Sequence, residues 1–196
     1  MTEQEQVKTK MVLDNIYFHL TKDDFPFSLN DLEYKNFLEV MSLFKDINKN
    51  NKDEIKKLIK ESESLFLKKE YSLCLTLLNR LIKIDPYEWR HYFNVSHAFV
   101  KEKKYKEAVE YLTKSIYFNP NNSKLYSFRG QINRVINNYP QCINDLTKAI
   151  ELNPNDSHLY KYRRLCYVDI MESKLAEADY LMEKKLLEFE KVKTNA

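Results

Sequence analysis

The sequence predicts an all-α protein built as a serial array of antiparallel helix pairs. Three observations predict it. The phrases KIDP, YFNP and ELNP end at Pro86, Pro120 and Pro154, at intervals of 120 − 86 = 34 and 154 − 120 = 34. A fixed period of that length marks a stacked repeat. The 196 residues include a single Gly. Strand-rich and α/β folds need Gly for turns of positive φ, so helices joined by short Asn- and Pro-bearing loops are favoured. Within each period, apolar residues recur at offsets of three and four, which place them on one helix face.

Aligned on the prolines, the repeats run over about 55–88, 89–122, 123–156 and 157–190. The first helices open with Trp89-Arg-His-Tyr92, Ser123-Lys-Leu-Tyr126 and Ser157-His-Leu-Tyr160. Ser123 and Ser157 read as N-caps, and the tyrosines are expected to pack towards the preceding repeat. The second helices carry an aromatic (Tyr71, Tyr105, Tyr139), then a small residue (Cys74, Ala108, Cys142), then Leu78, Leu112 and Leu146. The next turn brings Leu81, Ser115 and Ala149. Small residues recur where two helices cross closely. Each Pro closes a second helix, because it has no amide hydrogen and disfavours helix in the residue before it.

This pattern resembles the tetratricopeptide repeat (TPR), from about Asp53 to the C-terminus. The family pattern has an aromatic at position 4, a small residue at 8, a second aromatic near 17, Ala at 20 and Pro at 32. Position 8 is Ser62, Ser96, Gly130 and Arg164 here, and YKEAVEYLTKSIYFNP and YPQCINDLTKAIELNP follow the pattern from 17 to 32. The first repeat departs from it on its first helix. The fourth keeps Tyr160 and Ala176 but has Ser173 at position 17. The resemblance implies a TPR-type superhelical array and a role in holding other proteins. Domains are therefore expected at 1–52, an N-terminal helical segment, and 53–196, the TPR domain.

At the front, residues 6–20, QVKTKMVLDNIYFHL, suit a helix burying Val12, Ile16 and Leu20. A second helix follows, with a capping box from Asn30 to Glu33 and an apolar stripe of Leu32, Phe37, Val40, Met41 and Phe44. These helices are expected to cap the first repeat; the other reading lays Met11 to Phe27 across the groove as a built-in ligand. The closing segment, AEADYLMEKKLLEFEKVK, reads as an amphipathic helix that caps the array, with Leu181, Leu186 and Phe189 inward.

Composition and charge exclude several classes. No apolar run approaches the roughly 20 residues of a membrane span, and MTEQEQVKTK does not read as a signal peptide. A cytoplasmic protein without membrane contact is expected. Residues 1–54 hold seven Lys and eleven acidic residues, a net −4, whereas the remainder is +7. Solvated faces explain such an asymmetry, as would docking of the front segment on the basic remainder. Cys74, Cys142 and Cys166 show no CxxC spacing and read as buried thiols in a reducing compartment.

No catalytic constellation is found. The four histidines are scattered, and with one Gly there is no phosphate loop or nucleophile elbow. No catalytic residue, cofactor or metal is expected, and no nucleic-acid motif accompanies the basic charge. In TPR proteins the first helices line a concave groove. By that resemblance the lining includes Lys60, Arg90, Phe93, Asn94, His97, Lys124, Phe128, Gln131, Arg134, Lys161 and Tyr162. Lys56, Ile59, Glu63, Lys101, His158 and Leu165 stand at equivalent positions. A basic wall with apolar patches suits an acidic or amphipathic peptide. The expected function is a non-catalytic adaptor or assembly factor with a protein or peptide partner. The alternative is a co-chaperone holding a heat-shock chaperone tail through a degenerate clamp. The clamp positions would be Ile59, Glu63, Asn94, Lys124 and Phe128, of which Asn94 and Lys124 match the family's pattern.

Overall fold

The computed structural model describes residues 52–194. They form eight helices: α1 (Lys52–Leu67), α2 (Tyr71–Ile84), α3 (Trp89–Lys101), α4 (Tyr105–Phe118), α5 (Ser123–Val135), α6 (Tyr139–Leu152), α7 (Ser157–Asp169) and α8 (Ser173–Thr194). No strand occurs among the described residues. Packing is most extensive within the pairs α1–α2, α3–α4, α5–α6 and α7–α8, and each second helix also packs on the first helix of the next pair. The all-α array expected from the 34-residue period is therefore present. Apart from Lys52, which begins α1, the expected N-terminal segment lies outside the described residues. So do its capping box and the reading of Met11 to Phe27 as a built-in ligand.

Local chemistry sets the helix ends. The first helices are capped one residue before the expected serines: Glu88, Asn122 and Asp156 accept from the backbone N–H of Arg90, Lys124 and His158. An acceptor there satisfies an amide that has no partner within the helix. The second helices α2, α4 and α6 end at Ile84, Phe118 and Leu152, two residues before the three prolines. The tyrosine at position 4 reaches back to the same prolines. Tyr92 Oη donates to the Pro86 carbonyl at 2.8 Å, and Tyr160 Oη to that of Pro154 at 3.1 Å.

The turns inside the pairs explain how the chain manages with one Gly. Lys69, Lys103, Asn137 and Met171 have φ between 61° and 65°, again at intervals of 34. Each sits at the C′ position of a Schellman motif. Lys103 N–H, for example, donates to the Val100 carbonyl and Lys104 N–H to that of Phe99. Left-handed backbone costs a side-chain-bearing residue roughly 1–2 kcal/mol. The two capping bonds per turn offset it. Only one of the four is the Asn that turn chemistry would suggest.

Close crossing dominates the packing within pairs. Ser62, Ser96 and Gly130 are buried against Cys74, Ala108 and Cys142, with Leu78, Leu112 and Leu146 beneath them. A Cβ on Gly130 would meet Leu146 Cγ at 3.0 Å and the Cys142 carbonyl at 3.2 Å. The serines turn their hydroxyls onto their own helices, Ser62 to Ile59 O and Ser96 to Phe93 O, so burial leaves them satisfied.

The second half of the array adds a polar ladder. The Arg129 guanidinium donates twice to Asp145, from Nε at 3.0 Å and Nη2 at 2.7 Å, and its Nη1 donates to Thr113 Oγ1 at 2.9 Å. Thirty-four residues later Arg163 repeats this with Asp179 and Thr147. Each Arg thus joins three helices. Asn133 and Gln141 donate the remaining bonds to Asp145.

Two expectations are corrected. In the closing helix Leu181 and Phe189 are exposed, Leu186 is half-buried, and the inward residues are Ala176 and Asp179. The 22-residue α8 outruns the 13-residue α7. The three cysteines are not all thiols: Cys142 and Cys166 form a disulfide linking α6 to α7, and Cys74 is free and buried. Position 20 of one pair and position 10 of the next oppose each other there, and both carry Cys.

Two outcomes are expected. Asp145→Ala removes the acceptor from a largely buried guanidinium and should cost about 3–5 kcal/mol in urea unfolding; a loss below about 1 kcal/mol would show the ladder to be ornamental. Denaturing alkylation without reductant should label Cys74 alone, and all three cysteines after reduction.

Candidate functional site

The first helices form one continuous wall. α5 packs on α7 directly, and α3 meets α5 through rings. Phe93 lies 5.8 Å from Phe128, His97 lies 4.5 Å from Phe93, and His97 stacks on Phe128 at 4.3 Å with planes 23° apart. Three residues expected in the groove are thus gathered into one aromatic plate.

On either side of the plate is a hollow. The first, about 390 Å³, lies between α1 and α3. Its floor is Cys74 and Leu78, its near rim Ser62, Glu63, Phe66 and Leu67, and its far wall Phe93, Asn94 and His97. Leu67 is 82% exposed, an apolar side chain held in water at the rim. The second, about 170 Å³, lies between α5 and α7. Its floor is Cys142 and Leu146, its rim Gln131, Arg134 and Val135, and its far wall Tyr162, Leu165 and Cys166. Most of these correspond to the first hollow at a shift of 68, two periods: 142 − 74, 146 − 78, 135 − 67 and 162 − 94. The junction between them, where that correspondence predicts a third hollow, is filled by His97 and Phe128.

The other expected groove residues fall into two groups. Lys60, Lys124 and Lys161 are exposed and line neither hollow. Two arginines already have carboxylate partners: Arg90 bonds Glu88 at 3.0 Å and lies over the Trp89 ring, and Arg134 reaches Asp169 at 2.6 Å. Gln131 donates to Ser127. Sequence reasoning passed over Phe66, Leu67 and Val135. Their signal was available, because they occupy positions 12 and 13 of their repeats and are too apolar for exposed helix faces.

Burial, and after it the Lys101 ammonium, hold the His97 imidazolium below the ordinary histidine value of 6.5. Burial likewise raises the Cys74 thiol, whose Sγ donates to the Ser62 carbonyl. Among the described residues no group of three His, Cys, Asp or Glu is placed to hold a metal ion, and no helix is long and apolar enough to cross a membrane.

Comparison with known proteins agrees with the fold. Residues 90–122 match the family model described as tetratricopeptide repeat, and α1–α8 pack in consecutive pairs as in a TPR-type array. Similar solved structures include MamA, with TM-score 0.63 and 17% identity over 87% of this chain and 100% of that one. Another is YrrB, described as a TPR protein with an unusual peptide-binding site (TM-score 0.61, 19% identity, 73% and 74% covered). A third is the first TPR of Spaghetti (RPAP3) bound to HSP90 peptide SRMEEVD (TM-score 0.56, 20% identity, 60% and 93% covered). No curated protein sequence matches this one.

Because the folded pKa of His97 is depressed, the unfolded chain binds its proton more readily. Stability is complete above the ordinary value of 6.5 and falls as pH drops below it. Thermal melts at about pH 7.5 and about pH 5.5 should show a smaller acid loss for His97→Gln than for the parent; an equal loss would place the titration elsewhere.

Proposed function

We propose that this protein is a non-catalytic adaptor or assembly factor whose first-helix wall holds an acidic, amphipathic segment of a partner protein. One observation carries the reading: apolar hollows open on a wall that also bears the exposed cations Lys60, Lys101, Lys124 and Lys161. Large apolar side chains with acidic neighbours match that surface in both respects. The TPR fold supports it as a class built to present such walls, and YrrB, with its unusual peptide-binding site, and the first TPR of RPAP3, bound to an HSP90 peptide, agree in kind.

A chaperone-tail clamp is less well supported. Of its positions, Phe128 is stacked on His97 and Glu63 brings a negative charge to the rim. Ile59 offers no donor, which leaves Asn94 and Lys124 as the clamp residues in place, and a cytoplasmic setting belongs to the same proposal.

The test is capture of partners from the native cell with the full chain, followed by mapping of the shortest bound segment. That segment should carry net negative charge beside bulky apolar residues. Reversing Lys124 and Lys161 to Glu should weaken it about tenfold, or 1.4 kcal/mol, with an unchanged melting temperature. Equal affinity rejects the basic wall. Titration with SRMEEVD should give no binding; saturable binding would favour the co-chaperone reading.

A further inference from the structure

We infer that the wall recognises its ligand at two points, so that a single acidic segment fills both hollows with two bulky apolar side chains and passes over the His97–Phe128 plate between them. The inference rests on the proposed peptide-binding role and adds its grammar. It starts from the correspondence at 68 residues. The two hollows use the same repeat positions for floor and rim, and each has an exposed apolar rim residue, Leu67 at 82% and Val135 at 56%. The repeat between them differs at two positions that matter. Where the outer junctions carry Glu63 with Asn94 and Gln131 with Tyr162, the middle one carries His97 with Phe128, whose rings stack 4.3 Å apart. Substitution at these positions, not a break in the array, decides which junction is open.

Geometry then sets the ligand. Adjacent helices pack 8–10 Å apart, so hollows two repeats apart are separated by roughly 20 Å. An extended chain rises about 3.3 Å per residue and alternates faces, so anchors about six residues apart reach both hollows from one side. A helix rises about 1.5 Å per residue with 3.6 residues per turn, so it needs about fourteen to span the distance with both anchors on one face. The first hollow has more than twice the volume of the second, about 390 against 170 Å³, and suits an aromatic anchor; the second suits a branched aliphatic one. Lys101, which bears on the charge of His97, stands beside the plate, and Lys124 lies in the first turn of the helix that supplies Phe128. Acidic residues are therefore called for between the anchors.

The experiment uses the full chain and synthetic acidic peptides bearing Trp alone, Leu alone, or Trp and Leu about four, six, nine or fourteen residues apart. Burial of a second large side chain should tighten binding about tenfold or more over either single-anchor peptide, at one spacing in the series. Asn94→Phe copies the middle junction into the first hollow and should abolish that gain, leaving the Leu-only peptide unaffected. Circular dichroism and the melting temperature verify folding, and Tyr162→Ala, which enlarges the second hollow, should shift its preference from Leu towards Trp. Binding without a two-anchor gain at any spacing overturns the inference and leaves the peptide-binding role standing. Absence of binding by every peptide overturns both. If peptides bind only after Val12, Ile16 and Leu20 are replaced by Ser, the hollows belong to the chain's own front segment and the inference is overturned.

Discussion

Close approach of the two helices in each pair is the constraint from which the rest follows. At Gly130 there is no room for a methyl group without displacing Leu146, Cys142 or Asp145. At the equivalent points the chain spends Ser62 and Ser96 against Cys74 and Ala108. With backbones this near, leucines at the next turn fill the space beneath, and the tyrosine at position 4 can tie the pair to the proline behind it. The last pair relaxes the constraint. Arg164 takes the small position, extends to Glu183 at 3.1 Å and covers the Tyr180 ring. Tyr180, at the place of the buried leucines, is 46% exposed.

The array is not uniform along its length. Its front pairs are joined by apolar contact, with Val95 where the later pairs have Arg129 and Arg163. In the rear, two charged ladders cross three helices each. Buried ion pairs return little net stability against well-packed apolar side chains, but breaking one strands a charge. Such a ladder penalises any other stacking of α4 to α8, and so specifies register. The Cys142–Cys166 link lies in the same half, joining α6 to α7.

How legible this was depends on periodicity. The prolines, the small crossing residues and the leucines beneath them were visible because they recur at 34 residues with the same chemistry. The Arg–Asp–Thr ladder also recurs at 34, at Arg129 and Arg163, Asp145 and Asp179, Thr113 and Thr147; a search for charged as well as apolar repetition would have found it. The Schellman turns were hidden because Lys69, Lys103, Asn137 and Met171 share a backbone conformation and no side-chain property. Leu181 and Phe189 were misplaced for a different reason: amphipathic spacing shows that a helix has an apolar face, but not which residues of that face are buried. At the wall, the expected positions included the plate residues Phe93, His97 and Phe128, yet Arg90 and Arg134 turned out to be paired with Glu88 and Asp169.

Under the proposed peptide-binding role, stability and recognition fall to different positions of the same repeat. Cys74, Leu78, Cys142 and Leu146 hold the pairs together and also floor the hollows, so they cannot vary without cost to the fold. The residues above them, Glu63 and Asn94, His97 and Phe128, Gln131 and Tyr162, touch the core only at its edge. Changing them opens or closes a junction while the crossing below stays as it was. A repeat protein can therefore alter what it holds by side chains at two positions per unit. In this chain those two positions make one closed junction between two open ones.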